Sequence, residues 1–183
     1  PGFGTVTAPA PLAGIQVGAS TQFGGTGWDS IARISQVVDN DVIEWSNRGP
    51  GATGRAGTDV VADGSYSAGD ATLNGVLDGQ TAWETWGGTS RSTPVPVAAT
   101  ALIYQAYRQA HPGALPSAVG SEFWRQSKQY LKSSATDLGY DSFTQGSGSV
   151  DAFGAAKAAA GAAASVTPTD WRAGTYRGSK QFQ

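Results

Sequence analysis

Gly88-Thr89-Ser90-Arg91-Ser92-Thr93-Pro94 stands between a loop that ends in glycines, Trp83 to Gly88, and a long apolar run, Val95 to Tyr107. Glycines release the backbone, a serine follows, and the apolar run predicts a helix. A hydroxyl placed this way sits at a helix N-terminus, where unpaired N–H groups and the positive end of the dipole favour a developing oxyanion. The same local pattern describes an ordinary Ser or Thr N-cap. The stretch therefore reads either as an exposed nucleophile or as a cap.

The helix that follows is the strongest in the chain, predicted over Ser90 to Ala110. Val97, Ala98, Leu102, Ile103, Ala106 and Tyr107 supply the broad apolar face of a buried central helix. Pro96 removes a backbone donor near its start, so the first turn is expected to bend or to be irregular. The chain has one histidine, His111, at the far end of this helix. At 1.5 Å per residue it lies about 30 Å from Ser90, whereas a general base must come within about 3 Å of its nucleophile. His111 is not that base. A histidine beside a helix C-terminus suits the dipole, and Pro112 stops the helix. The chain thus holds no complete Ser-His-Asp set of its own.

Outward from this segment, composition limits the function. A length of 183 residues suits one domain or part of one. The formal charge is −2 with few charged residues and no basic stripe, which argues against nucleic acid and against an anionic membrane surface as partners. Cysteine is absent, so disulfides and thiolate metal sites are excluded. Methionine is absent too, and a chain lacking both resists oxidation, which suits a secreted or extracellular life. No apolar run reaches the roughly 18 residues of a membrane span.

A short buried strand is predicted at Leu12–Ala19 and a short strand at Val60–Ala62; Ile31–Val38 and Asp41–Trp45 are further strands, with Asp39-Asn40 as the turn of a hairpin that presents residues to solvent or substrate. Asp39, Asp41 and Glu44 form the densest acidic cluster, which reads as a solvated turn or as a structural calcium site. Gly64 to Gly87 is a loop or hairpin, and its Trp83 and Trp86 either line a peptide groove or pack the loop. Two more helices are expected. One is capped by Ser117 and runs to about Lys132, with Val119, Phe123, Trp124 and Leu131 inward; the other is the Ala-rich Val150–Ala163 with Asp151 in its first turn.

The serine stretch resembles the Gly-Thr-Ser-x-Ala-x-Pro motif of the subtilisin-like serine peptidases, the subtilases. Gly88, Thr89, Ser90 and Pro94 match, and Ser92 replaces the usual Ala. Further segments follow in the family's order. Ile15–Ser20 is similar to its Val-Gly-Ala strand, Trp45–Pro50 to its Phe-Ser-Ser-Arg-Gly-Pro turn, and Thr58–Gly64 to Pro-Asp-Val-Val-Ala-Pro-Gly with Asp63 in place of the second proline. Leu131–Gly139 and Gly146–Ala152 are similar to its closing segments.

The resemblance implies an α/β fold, a mostly parallel sheet flanked by helices. Only its C-terminal portion is expected here, over residues 1–164, with 165–183 a linker or the start of a further module. It implies a serine endopeptidase acting on polypeptides through an acyl-enzyme on Ser90. Gly88 and Thr89 would support the oxyanion hole, and Val6 and Thr7 would line the specificity pocket. The triad Asp and His and the oxyanion Asn would lie on an N-terminal segment preceding Pro1, a partner this chain needs. The chemistry requires no cofactor. The Ala8-Pro9 bond is expected to be cis, as in the family loop beside that pocket. The alternative is a non-catalytic structural or assembly fragment derived from a subtilase. Another α/β hydrolase is disfavoured, since no Gly-x-Ser-x-Gly surrounds Ser90.

Overall fold

Val60 and Val61 have no solvent exposure, and Ala62 almost none. A run apolar at every position, buried on both faces, is what a parallel strand flanked on each side requires. In the computed structural model, residues 2–6, 14–21, 40–51, 54–65, 67–70, 73–79, 81–113 and 121–166 are described. Strand β1 (Val17–Ser20) pairs in parallel with β2 (Val60–Asp63), in register from Val17 opposite Val60 to Ser20 opposite Asp63. On the other side of β2, Val61 donates to Gly148 O at 2.9 Å and accepts from Val150 N at 3.0 Å, so Ser149 extends the sheet by a parallel bridge.

The expected strand Asp41–Trp45 is only a bridge. Val42 pairs antiparallel with Ser20, and Ile43 N–H donates to Ala19 O at 3.0 Å. The chain then turns, because Ser46 N–H closes on Ile43 O at 3.0 Å and the buried Ser46 Oγ takes the Ala19 N–H at 3.0 Å. Two hydrogen bonds that specify a turn outweigh the strand propensity of Val-Ile. The predicted strand Ile31–Val38 lies outside the described residues.

Residues 64–87 include a hairpin. β3 (Ser67–Asp70) pairs antiparallel with β4 (Trp83–Trp86), and a short helix α1 (Leu73–Leu77) lies between them. Beyond β4 the predicted long helix is split. α2 (Thr89–Ser92) is followed by Thr93 and then α3 (Pro94–Ala110). Thr93 keeps helical angles, and the interruption falls where Pro94 and Pro96 remove two N–H donors.

α3 buries Ala99 and Ile103 against Leu131 of α4 (Ser121–Ser134) and Ala155 and Ala159 of α6 (Ala152–Ala159), and its Pro96 is buried too; α5 (Ser142–Gln145) precedes α6. Ala106 and Tyr107 join this core at its edge, as expected, but Val97 is 65% and Leu102 49% exposed. The alanines of α3 and α6 allow close approach, which turns the Ala99–Ile103 stripe inward and leaves Val97, Ala98 and Leu102 outside. α6 stops at Ala159, short of the predicted Ala163, and Gly161 at φ 75° turns the chain away. Asp151 caps it, its carboxylate accepting Gly154 N–H at 2.9 Å. Ser117 and Val119 lie outside the described residues.

A buried charge cluster ties α4 to the sheet. Lys128 Nζ stands 3.0 Å and Lys132 Nζ 3.3 Å from the two carboxylate oxygens of Asp59, whose side chain is 5% exposed. Gln16 N–H gives Asp59 a further bond at 2.8 Å, so the segment entering β1, the start of β2 and α4 meet at one carboxylate.

Candidate active site

The start of α2 is capped by Gly88 and by no side chain. Gly88 has φ 134° and ψ 168°, a conformation that only glycine adopts without strain. Thr89 and Ser90 are the first two residues inside the helix, so the reading of Ser90 as a side-chain cap is corrected. Gly88 O accepts Arg91 N–H at 2.9 Å and Ser92 N–H at 3.3 Å. The N–H groups of Thr89 and Ser90 have no partner among the described residues, and the Ser90 side chain is exposed.

This helix start is pinned to the carboxyl end of β2. Gly88 N–H donates to Gly64 O at 2.8 Å. Gly64 is a glycine because an added Cβ would meet Ser92 Oγ at 2.5 Å, Ala19 Cβ at 2.6 Å and Gly88 O at 2.9 Å. Ser92, with no exposure, fills the remaining space between the helix start and the sheet.

Beside the helix start lies a cavity of about 170 Å³, lined by Val6, Val17, Gly18, Asn47, Thr58 and Thr89 among others. It brings Val6 and Thr89 to one place. Val6 reaches it because the preceding chain is laid along the 48–49 turn: Gly4 N–H donates to Gly49 O and Thr5 N–H to Arg48 O, both at 2.9 Å. The Thr5 hydroxyl accepts Arg48 N–H at 2.9 Å. The Gly49-Pro50 bond is cis. Thr7 and the Ala8-Pro9 bond lie outside the described residues.

His111 ends α3, at the opposite end from Ser90. Its Nδ1 lies 3.0 Å from Tyr107 O, and its ring stacks on Tyr107 at 4.3 Å. Trp83 is 64% exposed, and Trp86 is half-buried two residues before Gly88. Of the acidic cluster, Asp41 accepts the Tyr140 hydroxyl, and that contact raises the Tyr140 pKa above its ordinary value, with burial and the nearby charge of Asp41 adding to it. Glu44 is exposed, and Asp39 lies outside the described residues. Among the described residues no group of three His, Cys, Asp or Glu side chains is placed to hold a metal.

Arg91 Nε lies 3.3 Å from Asp63 Oδ2. Asp63 stands where the family motif has a proline; 28 residues separate it from Arg91, and no periodicity in the sequence links the two.

Parallel strands whose carboxyl ends abut a glycine-led helix start, with helices packed beside them, define an α/β protein with an exposed serine in that first turn. The chain belongs to the subtilase family (Peptidase S8), whose model matches residues 2–155. Among solved structures, one described as a lanthipeptide protease is similar, at 24% identity and a TM-score of 0.46. That match covers 65% of this chain and 38% of the other, so this chain spans well under half of that protein. No curated protein matches the chain.

Proposed function

We propose that this chain carries the nucleophile of a secreted serine endopeptidase, and that residues 1–164 form the C-terminal half of its catalytic domain. The observation that carries the reading is the exposed Ser90 in the first turn of α2, its own N–H unpaired beside it. Ser90 Oγ attacks the scissile carbonyl carbon while a histidine from the N-terminal half accepts its proton. The carbonyl oxygen, now negative, is met by the Ser90 N–H and by an Asn amide from the same half. Thr89 and Gly88 shape that hole. Collapse expels the amine, which takes the proton from histidine, and water then cleaves the acyl-enzyme. The cavity holding Val6 and Thr89 receives the side chain before the scissile bond, with Thr7 next to Val6. Residues 165–183 are a linker or the start of a further module, and a calcium ion at the acidic turn would be structural only.

The apolar surface of α3 supports an N-terminal half as partner. Val97 and Leu102 are largely exposed, and a groove of about 250 Å³ between α3 and α4 is lined by Ile15, Val17, Pro96, Val97, Phe123 and Trp124. A parallel sheet needs cover of this kind on its faces. The test is a fluorophosphonate probe on the protein containing both halves, with the adduct mapped by mass spectrometry. The expected result is a label on Ser90, lost in Ser90→Ala together with casein digestion. Residues 1–183 alone are expected to give no cooperative denaturation and no cleavage. Casein digestion with no label on Ser90 would overturn the assignment.

A further inference from the structure

We infer that Asp63 and Arg91 form a positioning pair that fixes the orientation of Ser90, a role that rests on the peptidase reading above. Arg91 directly follows Ser90 in the single turn of α2. Nε lies 3.3 Å from Asp63 Oδ2, with the two side chains only 21% and 8% exposed. The carboxylate is fixed from behind: its Oδ1 accepts Ser65 N–H at 3.0 Å and the buried Ser65 hydroxyl. Its direction is set by the end of β2 and does not depend on Arg91.

Ser90 is thus bracketed. Two residues before it, Gly88 N–H is tied to Gly64 O at 2.8 Å. One residue after it, Arg91 is tied to Asp63. Both anchors are adjacent residues at the carboxyl end of β2. The Gly88 bond and the buried Ser92 seat this turn on the sheet. The Arg91 tie adds an anchor directly beside Ser90 that keeps its Oγ and N–H aimed at one point. Asp63 touches no reacting atom, so it positions and does not catalyse. A proline at position 63 would stiffen the exit from β2 through its fixed φ; in this chain the ion pair serves that purpose.

The experiment uses the protein containing both halves, as wild type, D63N, R91M and D63N/R91M. It measures the rate of fluorophosphonate inactivation, kcat and KM on a peptide, and Tm. D63N and R91M are each expected to lower kcat and the inactivation rate about 10- to 100-fold, the range set by sub-ångström misplacement, with KM moved less than about twofold. The double variant is expected to be no worse than the worse single, because the two side chains act as a unit. R91K is expected to recover part of the loss. Rates in D63N within about twofold of wild type, with Ser90 labelled normally in both, overturn the positioning role alone. A faster rate in D63N also overturns it, since the freed guanidinium would then itself serve the oxyanion. Losses confined to Tm, or losses that multiply in the double variant, overturn it as well. Should D63N fail to fold, R91M reads the same tie from the other side. A wild-type protein unlabelled at Ser90 overturns the peptidase reading and this role with it.

Discussion

Gly64→Ala tests how closely the helix start is seated on the sheet. Gly64 does not have a positive φ, so its backbone admits alanine and the cost is steric alone. The new Cβ would stand 2.5 Å from Ser92 Oγ, 2.6 Å from Ala19 Cβ and 2.9 Å from Gly88 O, where ordinary contact begins near 3.4 Å. The neighbours must retreat by about 0.5 to 0.9 Å. Ser92 has no exposure, and the other two atoms are fixed to backbone. The helix start must therefore lift off β2, lengthening the Gly88–Gly64 hydrogen bond and carrying Ser90 with it. Overpacking of this size costs about 1–3 kcal/mol, and a shift approaching 1 Å at a nucleophile costs up to about 10²-fold in rate. Urea denaturation and the fluorophosphonate rate of the two-half protein read the two effects separately. A variant within about 0.5 kcal/mol of wild type and labelled at the same rate would refute the seating of α2 on Gly64.

Asp59→Ala leaves Lys128 and Lys132 facing a site with no carboxylate, and breaking a buried pair from one side costs about 3–5 kcal/mol; a loss under about 1 kcal/mol in urea denaturation would count against the cluster as the link between α4 and the sheet. Asp137 has its pKa lowered, first by the Gln145 side-chain hydrogen bond and then by the Gly139 N–H, with burial opposing weakly. Its stabilising contribution is therefore complete above the ordinary carboxylate pKa and is lost as pH falls through the lowered folded value. Asp137→Asn is expected to flatten the acid limb of stability against pH, and an unchanged limb would show that the hydrogen bonds do not favour the ionised form.

Several parts of this arrangement could be read from local sequence. Val60-Val61-Ala62 reads as a short strand because it is a brief, mostly β-branched apolar run, and its parallel pairing and complete burial come from the fold. The Gly88-Thr89-Ser90 start reads correctly as the place where loop becomes helix. The rotation of α3 does not, because its apolar residues surround the helix and only the alanines of α6 decide that Ala99 faces in and Val97 out. The 41–45 segment misleads for a similar reason: a serine hydroxyl and a turn bond, both set by β1, override the preference of Val42 and Ile43 for a strand. The ion pair at Ser90 joins residues from a strand exit and a helix start, and only the fold brings these together.

The sheet around β2 has a consequence for the order of folding. β1 is joined to β2 across some forty residues, and Val61 meets Ser149 nearly ninety residues further on. Contacts of such long sequence separation form slowly, since each must close a large loop before it returns any stabilisation. The seat of Ser90, at Gly64 and Asp63, is the end of that same strand. A chain emerging during synthesis has Ser90 in hand well before Ser149 exists. Until that segment arrives, β2 lacks its neighbour on the Ser149 side, so the strand that carries the seat of Ser90 is completed only late in synthesis.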